Sequence, residues 1–303
     1  MANGLMQLLE RPRSLVHQVL SRLERIERSV ASLRESVGRL ERATNAYPKR
    51  QTGLVAHEFK VYSQWGEDGI IQYLVNTVPI SDRRFVEFGV ENYREANTRF
   101  LLVNDNWSGL VMDGSDANIR HIRQSDLYWR HNLKAEAAFI TRENINTLLQ
   151  EHGFAGPLGI LSIDIDGNDY WVWEAITVVD PTIVIVEYNA RFGAERAVTV
   201  PYDPSFRRLA AHHSGCYYGA SLAALEKLGA RKGYALVGCN SAGNNAFFVR
   251  KDMLANSLPA KTSAEAFVAH QFREARDEGG QLIFGSPDSD ISIIRGLPLV
   301  EIE

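Results

Sequence analysis

The chain has 303 residues, 45% of them hydrophobic and 23% charged, which is enough apolar material to bury one large or two modest cores and excludes a disordered chain. Its formal charge of −4 is unevenly spread, because the first fifty residues carry ten Lys and Arg against five Asp and Glu, leaving the remainder acidic. An acidic body argues against nucleic acid as the partner, since phosphate binding needs a basic surface.

Cys216 and Cys239 form neither a disulfide framework nor a paired metal motif, so free thiols and a reducing cytoplasmic location are expected. No apolar run reaches the length of a transmembrane helix, and the N-terminus lacks the continuous apolar region of a signal peptide. The short apolar and basic segment GLMQLLERPR, broken by Pro12, is a weak candidate for contact with a membrane surface.

From Val16 the apolar residues Val19, Leu23, Ile26, Val30, Leu33, Val37 and Leu40 follow at alternating intervals of three and four. This is a heptad repeat with Val, Leu, Val, Val at a and Val, Ile, Leu, Leu at d. It predicts a coiled-coil arm over residues 1–45 that self-associates, favouring a parallel dimer with a trimer as the alternative. The plainer reading is an amphipathic helix packed on its own domain. A polar linker over 46–58, marked by Pro48, leads into the body of the chain, 59–303.

In that body strand-like runs alternate with helical ones, which predicts a mostly parallel sheet covered on both faces. The strand candidates are RRFVEFGV, SGLVMD, KAEAAFIT, GILSID, TIVIVEY, YALVGC and NAFFVR. Asn240, Ser241, Gly243 and Asn244 supply a turn between the last two, so those two should pair antiparallel at one edge.

The chemistry concentrates in GILSIDIDGNDY, residues 159–170, where a buried-type strand opens into Asp164, Asp166 and Asp169. An EF-hand reading fails, since the twelfth position from Asp164 is Ala175 rather than a glutamate. Asp169 suits the start of the helix WVWEAI, as a cap. Asp164 and Asp166 stand where open α/β sheets bind ligands and can hold a divalent cation or a substrate proton. Two earlier strands also end in acids: Glu87 beside Gly89, and Asp113 at the distance where nucleotide-binding sheets place a carboxylate on a ribose.

The succession VEFGV, NWSGLVMDGSDAN, LSIDIDGNDYW and VIVEYN, with YSQWGEDGII in front, resembles S-adenosylmethionine-dependent methyltransferases, near the FkbM-type and macrocin-type metal-dependent sugar O-methyltransferases. The resemblance covers roughly residues 60 to 250 and leaves out the arm and the C-terminal tail. It implies a seven-stranded Rossmann-like α/β sheet with a closing antiparallel hairpin, and methyl transfer to a hydroxyl of a sugar or glycan acceptor. By position it implies that Glu87, Gly89, Asp113, Ser115 and Asn118 bind S-adenosylmethionine, and that Asp164, Asp166, Glu187 and Asn189 hold Mg2+. Glu187-Tyr188-Asn189 departs from the adjacent acidic pair of metal-dependent relatives, and the first glycine motif is thin.

Methyl transfer also needs the acceptor proton removed. Asp166 and His213 are the candidates, with His212 beside it, against the plainer reading of two surface histidines. Tyr62, Gln64, Glu67 and Asp68 are either a lid or helix caps, and the loop from Arg191 to Phe206, with Tyr202 and Asp203, is either an acceptor contact or a surface loop. A rival reading takes Asp164-Ile165-Asp166 as the D-x-D of a metal-dependent glycosyltransferase.

Overall fold

The computed structural model describes residues 2–44, 53–283 and 285–303. Helix α1 (Ala2–Thr44) runs unbroken through Pro12. The expected break is absent: proline removes one backbone donor, and the rest of the helical ladder carries on past it. Side chains up to residue 18 lie outside the description, and with them the membrane-contact reading of residues 4–13.

After α2 (Glu67–Thr77) the chain builds β1 (Arg84–Phe88), α3 (Arg99–Asn104), β2 (Ser108–Asp113), α4 (Asp116–Gln124), α5 (Asp126–Arg130) and β3 (Leu133–Ala137). Next come α6 (Ile145–Glu151), β4 (Gly156–Ile163), α7 (Asp169–Ala175) and β5 (Val179–Glu187). The strands order as β3-β2-β1-β4-β5-β8-β7, with β7 (Tyr234–Cys239) and β8 (Asn245–Arg250) closing one edge. The first five are mutually parallel, and β8 runs antiparallel to both β5 and β7. This is the seven-stranded sheet expected, closing antiparallel hairpin included.

The central strands are apolar on both faces, as a sheet covered twice must be. Val86, Phe88, Leu161, Ile163, Val184 and Val186 pack one core, while Phe85, Val111, Ile160, Ile183 and Ile185 pack the other. The chain leaves β1 to opposite sides, towards β2 and towards β4, and that reversal opens a crevice at the carboxyl ends of the strands.

The rest of the chain covers that crevice. Between β5 and α9 (Leu222–Arg231) lie β6 (Val198–Thr199) and the short α8 (Arg208–Ala211). The tail, with α10 (Ser263–Ala266) and α11 (Pro287–Ile294), returns so that β9 (Val300–Glu301) pairs antiparallel with β6. Arg191, almost wholly buried, fastens this tail through Glu274 at 3.0 Å and Asp290 at 3.5 Å. The loop after β5 is therefore largely an anchor. Arg191 lines neither of the cavities at the strand ends, Tyr202 donates to Glu143, and Asp203 accepts from Ser205. Both cysteines are free and buried. No helix among the described residues is long and apolar enough to cross a membrane.

Candidate active site

At the end of β1 the chain turns through Gly89, at φ 69°. A Cβ there would fall 1.5 Å from the carbonyl oxygen of Asp164. Only glycine lets the β1 and β4 ends come this close, and that proximity brings the two loops into one site. Glu87 is buried on β1 and clamps the loop that follows: Oε1 accepts from Asn97 N at 2.7 Å, and Oε2 from Thr98 N at 3.0 Å and Thr98 Oγ1 at 2.5 Å. Burial pushes its carboxyl up to about 7 despite these donors.

At the end of β2, Asp113 accepts from Glu91 N and Ser115 N, both at 2.8 Å, and from Asn118 Nδ2 at 3.0 Å. A carboxylate offers about four acceptor positions, so one remains for a ligand hydroxyl. Ser115 caps α4 by accepting from Asn118 N. Ser115 and Asn118 thus orient Asp113.

The loop after β4 is shaped by Asp169. Its Oδ1 accepts from Ile165 N at 2.8 Å and its Oδ2 from Gly167 N at 2.9 Å. This corrects the expected capping role: Asn168 holds the cap position of α7, without a side-chain cap bond, and Asp169 folds back to staple the loop. Burial raises the Asp169 carboxyl to about 6. The staple holds Asp166 at φ 55°, a left-handed conformation that short acidic side chains tolerate better than most.

Asp164, Asp166 and Glu187 thereby meet, each offering a carboxylate oxygen within 4.8 Å of the others. Glu187 is buried at the end of β5, and its Oε2 has no hydrogen-bond partner among the described residues. Burial, then the charge of the neighbouring acids, holds both Asp164 and Glu187 well above the usual carboxylate range. A cation reverses that penalty.

Sequence reasoning missed the counter-charge. Arg208, on α8, donates through Nη1 to Asp166 Oδ1 at 2.7 Å, pairs through Nη2 with Glu274 Oε1 at 2.5 Å, and lies 3.8 Å over the Tyr218 ring. Nothing in the local pattern around Arg207 and Arg208 distinguishes this side chain from a surface cation. Glu274 comes from the tail, outside the family resemblance.

Two expected residues are not brought into the site. Asn189 is fully buried, but it donates to the carbonyls of Cys216 and Tyr218 and accepts from Arg191 N. Its amide holds the loop around residues 216–218, and its side chain lines neither lobe of the cleft. His213 is exposed, its ring 4.2 Å from that of His212, and it does not line the central cavity. It follows the short α8, which turns Arg208 inward.

The lid expectation divides. Asp68 Oδ2 accepts from the amides of Val61, Tyr62 and Ser63. Glu67 accepts from Trp65 N and from the amides of Asn240 and Asn245. Neither caps α2; together they pin the 61–65 segment, from which Gln64 and Trp65 reach the cavity.

Beside a further lobe lined by Arg207, Arg208 and Arg276, the cleft has two lobes sharing Gly89, Glu91, Asp164 and Asp166. The smaller, about 180 Å³, joins Asp113 to the apolar side chains of Phe139, Ile140 and Phe206. The larger, about 540 Å³, is lined by Glu187, Asn244, Asn245 and Trp65, whose ring stacks on Phe272 at 5.6 Å. Among the described residues its walls carry seven acidic side chains (Glu87, Glu91, Glu95, Asp164, Asp166, Glu187, Glu274) against Arg208 and Arg273. Acids whose protonation burial favours give up their protons to a bound cation, so such a site takes cations and offers a polyanion few counter-charges.

No protein-family model matches the chain, and no curated protein does. Solved structures with a similar fold include the N-terminal domain of EvdMO1 with SAH bound, at 12% identity over 62% of this chain and 80% of that one, TM-score 0.40. The O-methyltransferase from Bacillus cereus in complex with SAH is 13% identical over 71% of this chain and 88% of its own, TM-score 0.39. An S-adenosylmethionine-dependent methyltransferase from Clostridium acetobutylicum ATCC 824 is 10% identical over 60% and 89%, TM-score 0.39.

Proposed function

We propose that the protein transfers a methyl group from S-adenosylmethionine to a hydroxyl of a sugar or glycan acceptor, with a divalent cation held by Asp164, Asp166 and Glu187. One observation carries this reading: a buried carboxylate with an unpartnered oxygen, Glu187, converges with two more acids on a cleft that continues to Asp113 at the end of β2.

The residues fit S-adenosylmethionine. It carries a sulfonium and an ammonium against one carboxylate, so it is drawn to an acid-lined cleft. Asp113 has an acceptor position for a ribose hydroxyl, with Phe139 and Ile140 beside it to cover an apolar base. The three carboxylates are the hard oxygen donors Mg2+ prefers, and the orphaned Glu187 Oε2 fits a missing positive ligand. When bound, such a cation would lower the pKa of an acceptor hydroxyl.

The remaining tasks fall to the chain itself. Trp65, Asn244 and Asn245 offer a ring face and amides to an acceptor in the larger lobe, fixing the hydroxyl for in-line attack. Asp166, the exposed member of the cluster, is the carboxylate placed to take the hydroxyl proton now that His213 lies away from the cavity. A reducing cytoplasm suits the two free cysteines.

The glycosyltransferase reading keeps the same acids but asks the cleft to take a diphosphate, for which the larger lobe offers only Arg208 and Arg273 among the described residues. Calorimetric titration with S-adenosylmethionine and with nucleotide sugars, each with Mg2+, separates the two. Binding of S-adenosylmethionine at micromolar strength is expected, and Asp166→Ala should retain it while losing methyl transfer. Binding of nucleotide sugars alone would sink the proposal.

A further inference from the structure

From Val19 to Leu40 every apolar heptad residue of α1 is about half exposed or more, from 48% at Val19 and Val30 to 67% at Leu40. An apolar stripe of this length on a helix of about 65 Å would be an aggregation hazard if left in water. Its own domain does not cover it. The contacts of α1 with the domain use the opposite side, at the b and f positions of the same heptads. Tyr62 donates its hydroxyl to Glu35 Oε1 at 2.5 Å, and Arg42 pairs with Asp105 at 3.0 Å. Gly38 is buried against Val61 and Phe100, so tightly that a Cβ there would fall 2.4 Å from Val61 Cγ2.

We infer that a second copy of this chain covers the stripe, as a parallel two-stranded coiled coil whose outer faces carry the two catalytic domains. The a layer is β-branched apart from Leu23, and d carries Ile26, Leu33 and Leu40 beyond Val19, the pattern that favours two parallel strands. Charge agrees with that register. In a parallel dimer Arg22 at g faces Glu27 at e of the other chain, while Ser29 and Ser36 face Arg34 and Glu41, so no like charges meet. The domain contacts at Glu35, Gly38 and Arg42 are compatible with the pairing, because they lie away from the a and d seam. Tyr62 belongs to the segment that brings Gln64 and Trp65 to the cavity, so the arm also braces one wall of the cleft. This inference is independent of the reaction proposed above.

Sedimentation equilibrium of the full chain at micromolar concentration should give twice the mass of one chain. Ile26→Glu with Leu33→Glu should halve it while leaving the circular dichroism of the α/β body in place. Leu33→Cys places a thiol at a d position, where the parallel register sets it against its own copy, and mild oxidation should convert most of the protein to a covalent dimer. Cys216 and Cys239 are buried and do not compete. A monomeric parent, a trimer, or a Leu33→Cys protein that stays uncrosslinked would each overturn the proposal.

Discussion

Arg208 Nη1 stands 2.7 Å from Asp166 Oδ1, so the outermost acid of the cluster already has a cation supplied by the protein. The inner pair, Asp164 and Glu187, has none as close among the described residues, and burial pushes both carboxyls upward. A divalent cation bound to all three acids must share Asp166 with Arg208, while Glu274 continues to hold the guanidinium from its other side. Arg208→Gln is therefore expected to tighten Mg2+ or Mn2+ binding on the order of tenfold, by removing a positive charge a few ångströms away. Calorimetric titration of the metal checks this; unchanged affinity would remove Asp166 from the ligand set.

The metal-free protein should lose stability as pH rises. Burial raises Asp68 and Asp169 to about 6 and Glu87 to about 7, so the folded state holds protons that the unfolded chain has already released. Their contribution is fully present below pH about 4, where the unfolded carboxyls are protonated too, and is lost as pH climbs through about 7. Asp164 and Glu187 carry the same trend further up. Melting temperatures in EDTA should fall from pH 5 to pH 8, and Mg2+ should restore more at pH 8 than at pH 5. A melting temperature that rises over this range would contradict the assignment.

Asp113→Ala should weaken S-adenosylmethionine binding about tenfold or more, since it removes a charged acceptor and frees Glu91 N and Ser115 N. Metal affinity should stay unchanged, because Asp113 is outside the three-acid cluster. Parallel titrations of cofactor and metal test both halves.

Gly89→Ala should cost about 3 kcal/mol or more, since the new Cβ meets the Asp164 carbonyl and the backbone sits in a left-handed conformation. The urea midpoint measures it. A near-normal midpoint would mean that the β1 and β4 ends separate at little cost.

Much of the sheet was legible in local pattern. SGLVMD, YALVGC and NAFFVR are the strands β2, β7 and β8 residue for residue, because a buried strand bounded by turn residues leaves a short, continuous apolar run. Asp164 and Glu187 were legible for a related reason: charged residues directly after such runs stand at strand ends, where parallel sheets open their crevice. Asn189 was misread by that same rule. It also follows a strand end, yet its amide is bound to the carbonyls of Cys216 and Tyr218, partners 27 and 29 positions away in sequence.

The apolar and acidic framework is local in origin: a heptad arm, seven strands with a closing hairpin, and carboxylates at the strand ends. Each is written in a period or a boundary that one stretch of chain carries alone. What those carboxylates face is set by long-range packing. Arg208 and Glu274 reach the site because β9 pairs with β6 and Arg191 anchors the tail, and Trp65 is held there through Glu67, which also accepts from Asn240 and Asn245 of the closing hairpin. These contacts join residues far apart in the chain, and no local periodicity encodes them. The same holds for the face of α1 left open to a partner: the heptads mark the seam, but only the packing of Gly38 against Val61 and Phe100 shows that the domain occupies the other side.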